Sequence, residues 1–129
     1  METGIAKLTP ELLALIGTGG VSALAPFTSE IFLLDIMVAG TTFCEQIDEL
    51  GPELMPDTVL KMVRHPKNKY DDLAIGIYYR DVRIGWVPRE LNEVISRLMD
   101  AGKAFFCRIA KTKKINNWLK IDAKIFMVE

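Results

Sequence analysis

The sequence predicts a mainly β fold with added helices, in which five to six short antiparallel strands form a small barrel. Apolar runs of strand length recur between turn residues from residue 28 onward. The last run alternates between apolar and polar residues, as a strand with one buried face does. Its apolar members are Leu119, Ile121, Ala123 and Ile125. So few strands tend to close or curl, because this protects their edges from pairing with other chains.

The apolar runs also place the strands along the chain. They predict strands at 31–39, 59–64, 73–79, 82–87, 103–111 and 119–125. The third and fourth of these are expected to form a hairpin around Arg80 and Asp81, a turn that contains neither Gly nor Asn. The lysine-rich stretch 111–114 is interpreted as the tip of the next hairpin.

One stretch, residues 88–101, has clear helical spacing and predicts an amphipathic helix. The apolar residues that share one face of it are Leu91, Val94, Ile95, Leu98 and Met99. Gly102 follows at the position where a glycine commonly ends a helix. A shorter helical turn is predicted at 45–50, because Gly51 and Pro52 come directly after it.

Residues 1–27 are expected to form an N-terminal helix and linker, and residues 28–129 the β domain. Thr9 suits a helix start and Gly17 its end, and residues 17–26 are rich in Gly, Ser, Ala and Pro. A signal peptide is not expected, since the apolar run is only five residues long and acidic residues precede it. We expect a cytoplasmic protein without a membrane span, because no segment reaches the roughly 18 apolar residues that a span needs.

The net charge of −1 conceals an asymmetry between the two halves of the chain. Residues 1–60 hold one lysine against nine acids, a balance of −8, whereas residues 61–120 hold fourteen Lys and Arg against six acids, a balance of +8. Two interpretations are open. The basic half could bind an anionic partner, or the two halves could neutralise each other across one fold.

The residue types do not suggest an enzyme, a metal site or a bound cofactor. Cys44, Cys107 and the single histidine, His65, lack the close spacing of metal ligands. No Gly-rich phosphate loop and no nucleophile with an adjacent base is present. Asp71 and Asp72 could form a two-acid nuclease centre, but adjacent residues of a strand point to opposite faces.

The most informative stretch is 64–75, where cations, a tyrosine and two carboxylates lie between two apolar runs of strand type. The side chains singled out here are Arg64, Lys67, Lys69, Tyr70 and Asp71, together with Phe43, Trp86 and Arg89 elsewhere in the chain. Rings can stack on bases, cations can bind phosphates and a carboxylate can accept from a sugar hydroxyl. The alternative is that the rings pack in the core and the carboxylates cap turns.

Four segments in order carry a resemblance to a known family. They read VAGTTF at 38–43, LKMVRHP at 60–66, NKYD at 68–71 and IGWVPREL at 84–91. Over about residues 31–127 the chain resembles a HIRAN domain, a module of Swi/Snf-type helicases of post-replication repair that also occurs as small stand-alone bacterial proteins.

The resemblance implies an OB-like or SH3-like barrel that binds single-stranded DNA, with a free 3′ end held in a pocket, in DNA repair. By position it assigns the terminal hydroxyl to Asp71 and the shape of the pocket to Asn68. It places Trp86 and Arg89 against the terminal nucleotides, and it matches Tyr70 and Phe43 to aromatic positions of the family.

The chain departs from the family pattern at three positions. Thr42 stands where DNA-binding members have Arg, Cys44 where they have a second aromatic residue, and Lys69 where they usually have Pro. The alternative function is therefore a protein-interaction module that has lost 3′-end recognition. Its partner, or a second copy of the chain, would dock on the N-terminal helix through Leu12, Leu13, Leu15 and Ile16.

Overall fold

A computed structural model of the protein describes residues 29–129. The strands are β1 (Glu30–Met37), β2 (Val59–Arg64), β3 (Ile75–Tyr79), β4 (Val82–Trp86), β5 (Ala104–Ile115) and β6 (Trp118–Val128). The helices are α1 (Ile47–Leu50) and α2 (Asn92–Asp100), and short 3₁₀ turns lie at Thr41–Phe43, Gly51–Glu53 and Arg89–Leu91. The helix and linker predicted at 1–27 lie outside the described residues.

All six strands pair antiparallel in one sheet, in the order β1-β6-β5-β2-β3-β4. This confirms the predicted fold class, but the sheet is not closed into a barrel. The two ends of the strand order meet at one bridge, where Ala39 and Trp86 each donate a backbone N–H to the other's carbonyl at 2.8 Å. The sheet is therefore curled, with a seam between its ends that is joined at one point among the described residues.

The inner face of the curled sheet holds the core. Ile121, Ala123 and Ile125 of β6 are fully buried, as their alternation predicts. Complete burial of such an aliphatic side chain stabilises a fold by roughly 1.5–3 kcal/mol. The other large side chains that are almost completely buried are Val38, Leu54, Leu60, Ile75, Ile77, Ile84 and Ile109.

The amphipathic helix is shorter than predicted. Residues 89–91 form a 3₁₀ turn, and the α-helix begins only at Asn92. Ile95 lies in the core, but Val94 is 68% exposed and Leu91 41% exposed, so their assignment to the buried face was wrong. A helix of nine residues places only a narrow stripe on the sheet. Gly102 has φ +99° directly after the helix, as predicted for a terminating glycine.

The hairpin of β5 and β6 extends further than predicted. Residues 111–114 continue β5, and the turn is formed by Asn116 and Asn117. Asn116 has φ +54°, a left-handed conformation that asparagine tolerates well. The prediction of a tip at 111–114 was wrong, because both faces of this hairpin end are exposed, so polar residues follow one another without the alternation of a half-buried strand. Within residues 29–129 no helix is long and apolar enough to cross a membrane.

Candidate nucleic-acid interface

A cavity of about 710 Å³ lies beside the seam, where the loop between β2 and β3 faces the end of β4. Six of the ten side chains proposed from the sequence line it: Phe43, Asn68, Tyr70, Asp71, Trp86 and Arg89. The lining also includes Ala39, Ala74, Arg83, Val87 and Asn92. The fold thus brings together segments that are up to about fifty residues apart in the sequence.

The loop presents its aromatic residue to solvent because Asn68 organises the backbone. The Asn68 Oδ1 accepts hydrogen bonds from the backbone N–H groups of Tyr70, at 2.9 Å, and Asp71, at 3.1 Å. This is a side-chain mimic of a turn. Tyr70 is consequently 74% exposed, and Phe43 on the other wall is 88% exposed. Neither ring packs in the core, which was the alternative for both.

Asp71 is held in place by hydrogen bonds to both carboxylate oxygens. Its Oδ1 accepts from the Leu73 backbone N–H at 3.0 Å, and its Oδ2 accepts from the Asn92 side-chain amide at 2.8 Å. The Arg89 Nε lies 3.9 Å from Oδ2. These hydrogen bonds, first that from Asn92 and then that from Leu73, hold the pKa of Asp71 below its usual range. A carboxylate has about four acceptor positions, so a fixed, ionised acceptor with spare capacity faces the cavity.

Two glycines allow the close approach at the seam where Trp86 lies. A Cβ on Gly85 would lie 2.5 Å from the Ala39 carbonyl oxygen, and a Cβ on Gly40 would lie 3.3 Å from the indole Cδ1. Gly40 also has φ +75°. The edge of the indole ring meets the His65 ring, whose centroid lies 5.0 Å away.

Arg83 is a cavity residue that the sequence analysis missed. Its guanidinium carbon lies 4.5 Å from the centroid of the Trp86 ring, and Arg83 forms no ion pair within residues 29–129. Residues three apart in a strand normally point to opposite faces. Here Tyr78 pairs with Arg83 and Gly76 with Trp86, so β4 has one extra residue, a β-bulge that puts both side chains on one face.

Asn92, the partner of Asp71, was also missed. It is 2% exposed, and it is the first residue of α2. A polar residue among the apolar positions at the start of a helix was the signal that could have identified it.

Four of the proposed residues do not line the cavity. Arg64 donates to the Ala74 carbonyl from Nη1 and to the Asp100 carboxylate from Nε, both at 2.8 Å, and so ties the loop to α2. Lys69 lies with its Nζ 5.1 Å from the Tyr70 ring centroid. Thr42 and Lys67 are exposed beside the cavity.

The described residues offer little to covalent or metal chemistry. No three His, Cys, Asp or Glu side chains of residues 29–129 are grouped so that they could hold a metal ion. Burial raises the pKa of the Cys107 thiol to about 12, so this sulfur stays protonated. The His65 Nε2 lies 2.9 Å from the Tyr78 hydroxyl and is part of the packing beside Trp86.

The fold is thus a small β domain, a curled six-stranded sheet with a cavity lined by aromatic rings and two arginines at its seam. The family model of the HIRAN domain matches residues 31–128. The chain therefore belongs to the HIRAN family, as the resemblance in its sequence indicated. A search of curated proteins found no significant match.

Two solved structures share the fold. A protein from Lactobacillus plantarum, known from its crystal structure, has a TM-score of 0.72 at 19% identity, over 79% of this chain and 98% of that chain. The HIRAN domain of human HLTF has a TM-score of 0.60 at 16% identity, over 77% of this chain and 78% of that chain. At these identities the likeness establishes the fold alone.

Proposed function

We propose that this protein is a non-catalytic DNA-binding module that holds the free 3′ end of single-stranded DNA in the cavity beside the seam. The observation that carries the proposal is the convergence there of exposed rings, two arginines and one fixed carboxylate. Membership of the HIRAN family, known as a DNA-binding module, supports a nucleic-acid ligand. A free 3′ end arises when DNA is nicked or its synthesis stalls, so we propose a role in DNA repair.

The rings and the cations have separate tasks in this proposal. The exposed faces of Tyr70 and Phe43 would stack on bases, at about 1–3 kcal/mol per base. Arg83 and Arg89, which both line the cavity, would bind phosphates. Neither interaction depends on which base is present, so we expect little sequence preference.

Asp71 would recognise the chemistry of the strand end. An ionised carboxylate accepts a hydrogen bond from a 3′-hydroxyl, but it repels a 3′-phosphate. A hydrogen bond to a charged group contributes on the order of 1.5–3 kcal/mol. Because Asp71 is anchored by Leu73 and Asn92, its position does not have to be fixed again when DNA binds.

The test compares single-stranded oligonucleotides that end in a 3′-hydroxyl or a 3′-phosphate. We expect the hydroxyl end to bind more tightly, and Asp71→Asn to narrow the difference because the charge is lost. Asp72→Asn is the matched control, since this neighbouring carboxylate is exposed and does not line the cavity. Affinities are measured by fluorescence anisotropy at low salt.

Three results would contradict the proposal. Binding could be absent at low salt, blunt duplex could bind as well as single strands, or the wild type could ignore the 3′ end. In the third case the protein would keep DNA binding without end recognition.

A protein-interaction module is the second candidate, and one observation favours it. The β1 strand exposes apolar side chains, with Ile31 37%, Phe32 48% and Met37 44% exposed. Deletion of residues 1–26 distinguishes the two functions. DNA affinity should stay within a few-fold if the cavity binds DNA, whereas a change from dimer to monomer in light scattering would favour the interaction module.

A further inference from the structure

A second cavity, of about 810 Å³, continues from the first across the outer side of β1 and β6. Ala39 and Arg89 line both cavities, so the two are adjacent at the seam. We infer that this second cavity, here called the basic groove, carries the sugar-phosphate backbone of the nucleotides that precede the strand end. The inference rests on the proposed function and extends it from an end pocket to a longer track.

The charges of the basic groove favour an anion. Its cations are Arg89, Lys111, Lys120 and Lys124, and its carboxylates are Asp35, Glu90 and Asp122. Two of the carboxylates are already neutralised, since Asp35 lies 2.7 Å from the Lys124 Nζ and Asp122 lies 3.6 Å from the Lys120 Nζ. Lys111 forms no ion pair within the described part of the chain.

The end of the β5–β6 hairpin adds positive charge where the basic groove ends. Residues 111–120 contain four lysines and no Asp or Glu. Lys113 stands directly opposite Lys120 in the strand ladder, and like charges in this arrangement destabilise a sheet. Of the four lysines, Lys114 has a distant partner, Asp48, at 2.6 Å. A phosphate between Lys113 and Lys120 would relieve their repulsion.

The chemistry of the basic groove also indicates which part of the strand it takes. Lysine ammonium groups are point charges that suit phosphates but do not read base edges. The rings that can stack on bases lie in the first cavity, at Tyr70, Phe43 and Trp86. Bases would therefore be bound near the strand end, and the backbone alone would be bound further away.

The experiment varies the length of the DNA and the charge of the groove. Two oligonucleotides, of about three and about twelve nucleotides, share one 3′-terminal sequence and a 3′-hydroxyl. Their lengths bracket the footprint of a small β domain. They are titrated over a salt series with the wild type and with the double variant Lys111→Gln, Lys120→Gln, which removes two lysines that line the basic groove. The matched control is Lys61→Gln, Lys103→Gln, which removes two lysines that line neither cavity.

We expect the wild type to bind the longer strand more tightly than the shorter one. The double variant should lose this advantage, and its log–log salt slope for the longer strand should become shallower by about 1.4, at about 0.7 for each phosphate that is no longer bound. The shorter strand should bind both proteins equally. The control variant should behave as the wild type does with both strands.

Three outcomes would overturn the inference. If length has no effect while the 3′-hydroxyl preference persists, the end pocket stands and the basic groove is not part of the footprint. If the control variant loses as much affinity as the groove variant, the effect is one of net charge. If neither strand binds, the proposed function fails and the groove inference fails with it.

Discussion

At the scale of single residues, the cavity depends on side chains that the fold leaves outside the core. Phe43 and Tyr70 are exposed although both are large rings, and Arg83 and Trp86 stack on each other instead of entering the core. The family resemblance identified three of these four residues by position. Arg83 is the exception, because nothing in the sequence indicates that a bulge turns it toward Trp86.

Arg83 is of particular interest because the family resemblance matches Thr42 to a position where it implies an arginine in DNA-binding members. Thr42 lies next to Phe43 but does not line the cavity. Arg83 reaches the same cavity from β4 and lies over the ring of Trp86. We propose that it supplies the missing cation from a different strand.

Arg83→Gln tests this role. The change should weaken binding of single-stranded DNA and make the log–log salt slope shallower by about 0.7, the value for one bound phosphate. Melting temperature should hardly change, since Arg83 is exposed and forms no ion pair within residues 29–129.

The control for Arg83→Gln is Arg80→Gln in the same hairpin. Arg80 also lies over a ring, 4.9 Å from the Tyr79 centroid, but it lines neither the first cavity nor the basic groove. Equal losses of DNA affinity in the two variants would show that Arg83 does not bind DNA specifically.

The role of Arg64 could not be predicted from its charge in the sequence. It stands in the cationic cluster 64–69, and its charge suggested that it binds a phosphate. In the fold its side chain is 13% exposed and bound to Asp100 and to loop carbonyls. Sequence alone cannot distinguish these roles, because Asp100 is thirty-six residues away.

At the scale of elements, the strands and the sheet class follow from periodicity, and the departures follow from local irregularities. The predicted bounds 59–64 coincide with β2 because that strand is regular and ends at a turn. The bulge in β4 breaks the two-residue period. The end of the β5–β6 hairpin was missed because both of its faces are exposed, so its sequence resembles that of a polar turn.

The close approach of the two ends of the sheet at the seam depends on Gly85. A Cβ at this position would lie 2.5 Å from both the Ala39 oxygen and the Val38 Cγ1. Gly85→Ala should therefore force the ends of the sheet apart and lower the free energy of unfolding by about 1–3 kcal/mol, the usual cost of overpacking. Urea unfolding followed by tryptophan fluorescence measures this change.

Gly51→Ala serves as the comparison for Gly85→Ala. At Gly51 the nearest atom to a new Cβ is 4.0 Å away, and the residue is helical, so alanine should be tolerated. If both variants unfold at the same urea concentration as the wild type, the close approach at Gly85 does not limit stability.

At the scale of the whole molecule, the charge asymmetry between the two halves of the chain is partly resolved by ion pairs within the fold. Three ion pairs of the described residues join the acidic first half to the basic second half: Lys114–Asp48, Arg108–Glu30 and Arg80–Glu53. The halves thus partly neutralise each other. The cations that remain without an acidic partner within residues 29–129 include Arg83, Lys111 and Lys113, which lie along the two cavities or beside them.

The single histidine makes global stability sensitive to mild acid. Burial, and then the nearby Arg83 and Arg64, lower the pKa of His65 below 6.5. The folded chain therefore binds this proton less readily than the unfolded chain, so stability falls as the pH drops from above 6.5 toward the lower folded pKa. In His65→Gln this dependence should be flatter, because glutamine does not titrate but can still bond the Tyr78 hydroxyl.

Melting temperatures between about pH 7.5 and about pH 5.5 measure this effect, a range in which histidine is the one side chain that ordinarily titrates. Parallel curves for the wild type and His65→Gln would show that the histidine does not cause the dependence.

The single bridge at the seam has a consequence for hydrogen exchange. The amide protons of Ala39 and Trp86 are protected by hydrogen bonds to each other's carbonyls, so local opening of this bridge exposes both at once. DNA in the cavity would contact Phe43, which follows β1 at one end of the sheet, and Trp86, in β4 at the other end. It would therefore bind only the form in which the bridge between Ala39 and Trp86 is intact. Saturating single-stranded DNA should therefore slow deuterium uptake at these two amides more than at the centre of the sheet. The bound DNA would then hold together the two ends of the sheet, which the strands alone do not close into a barrel.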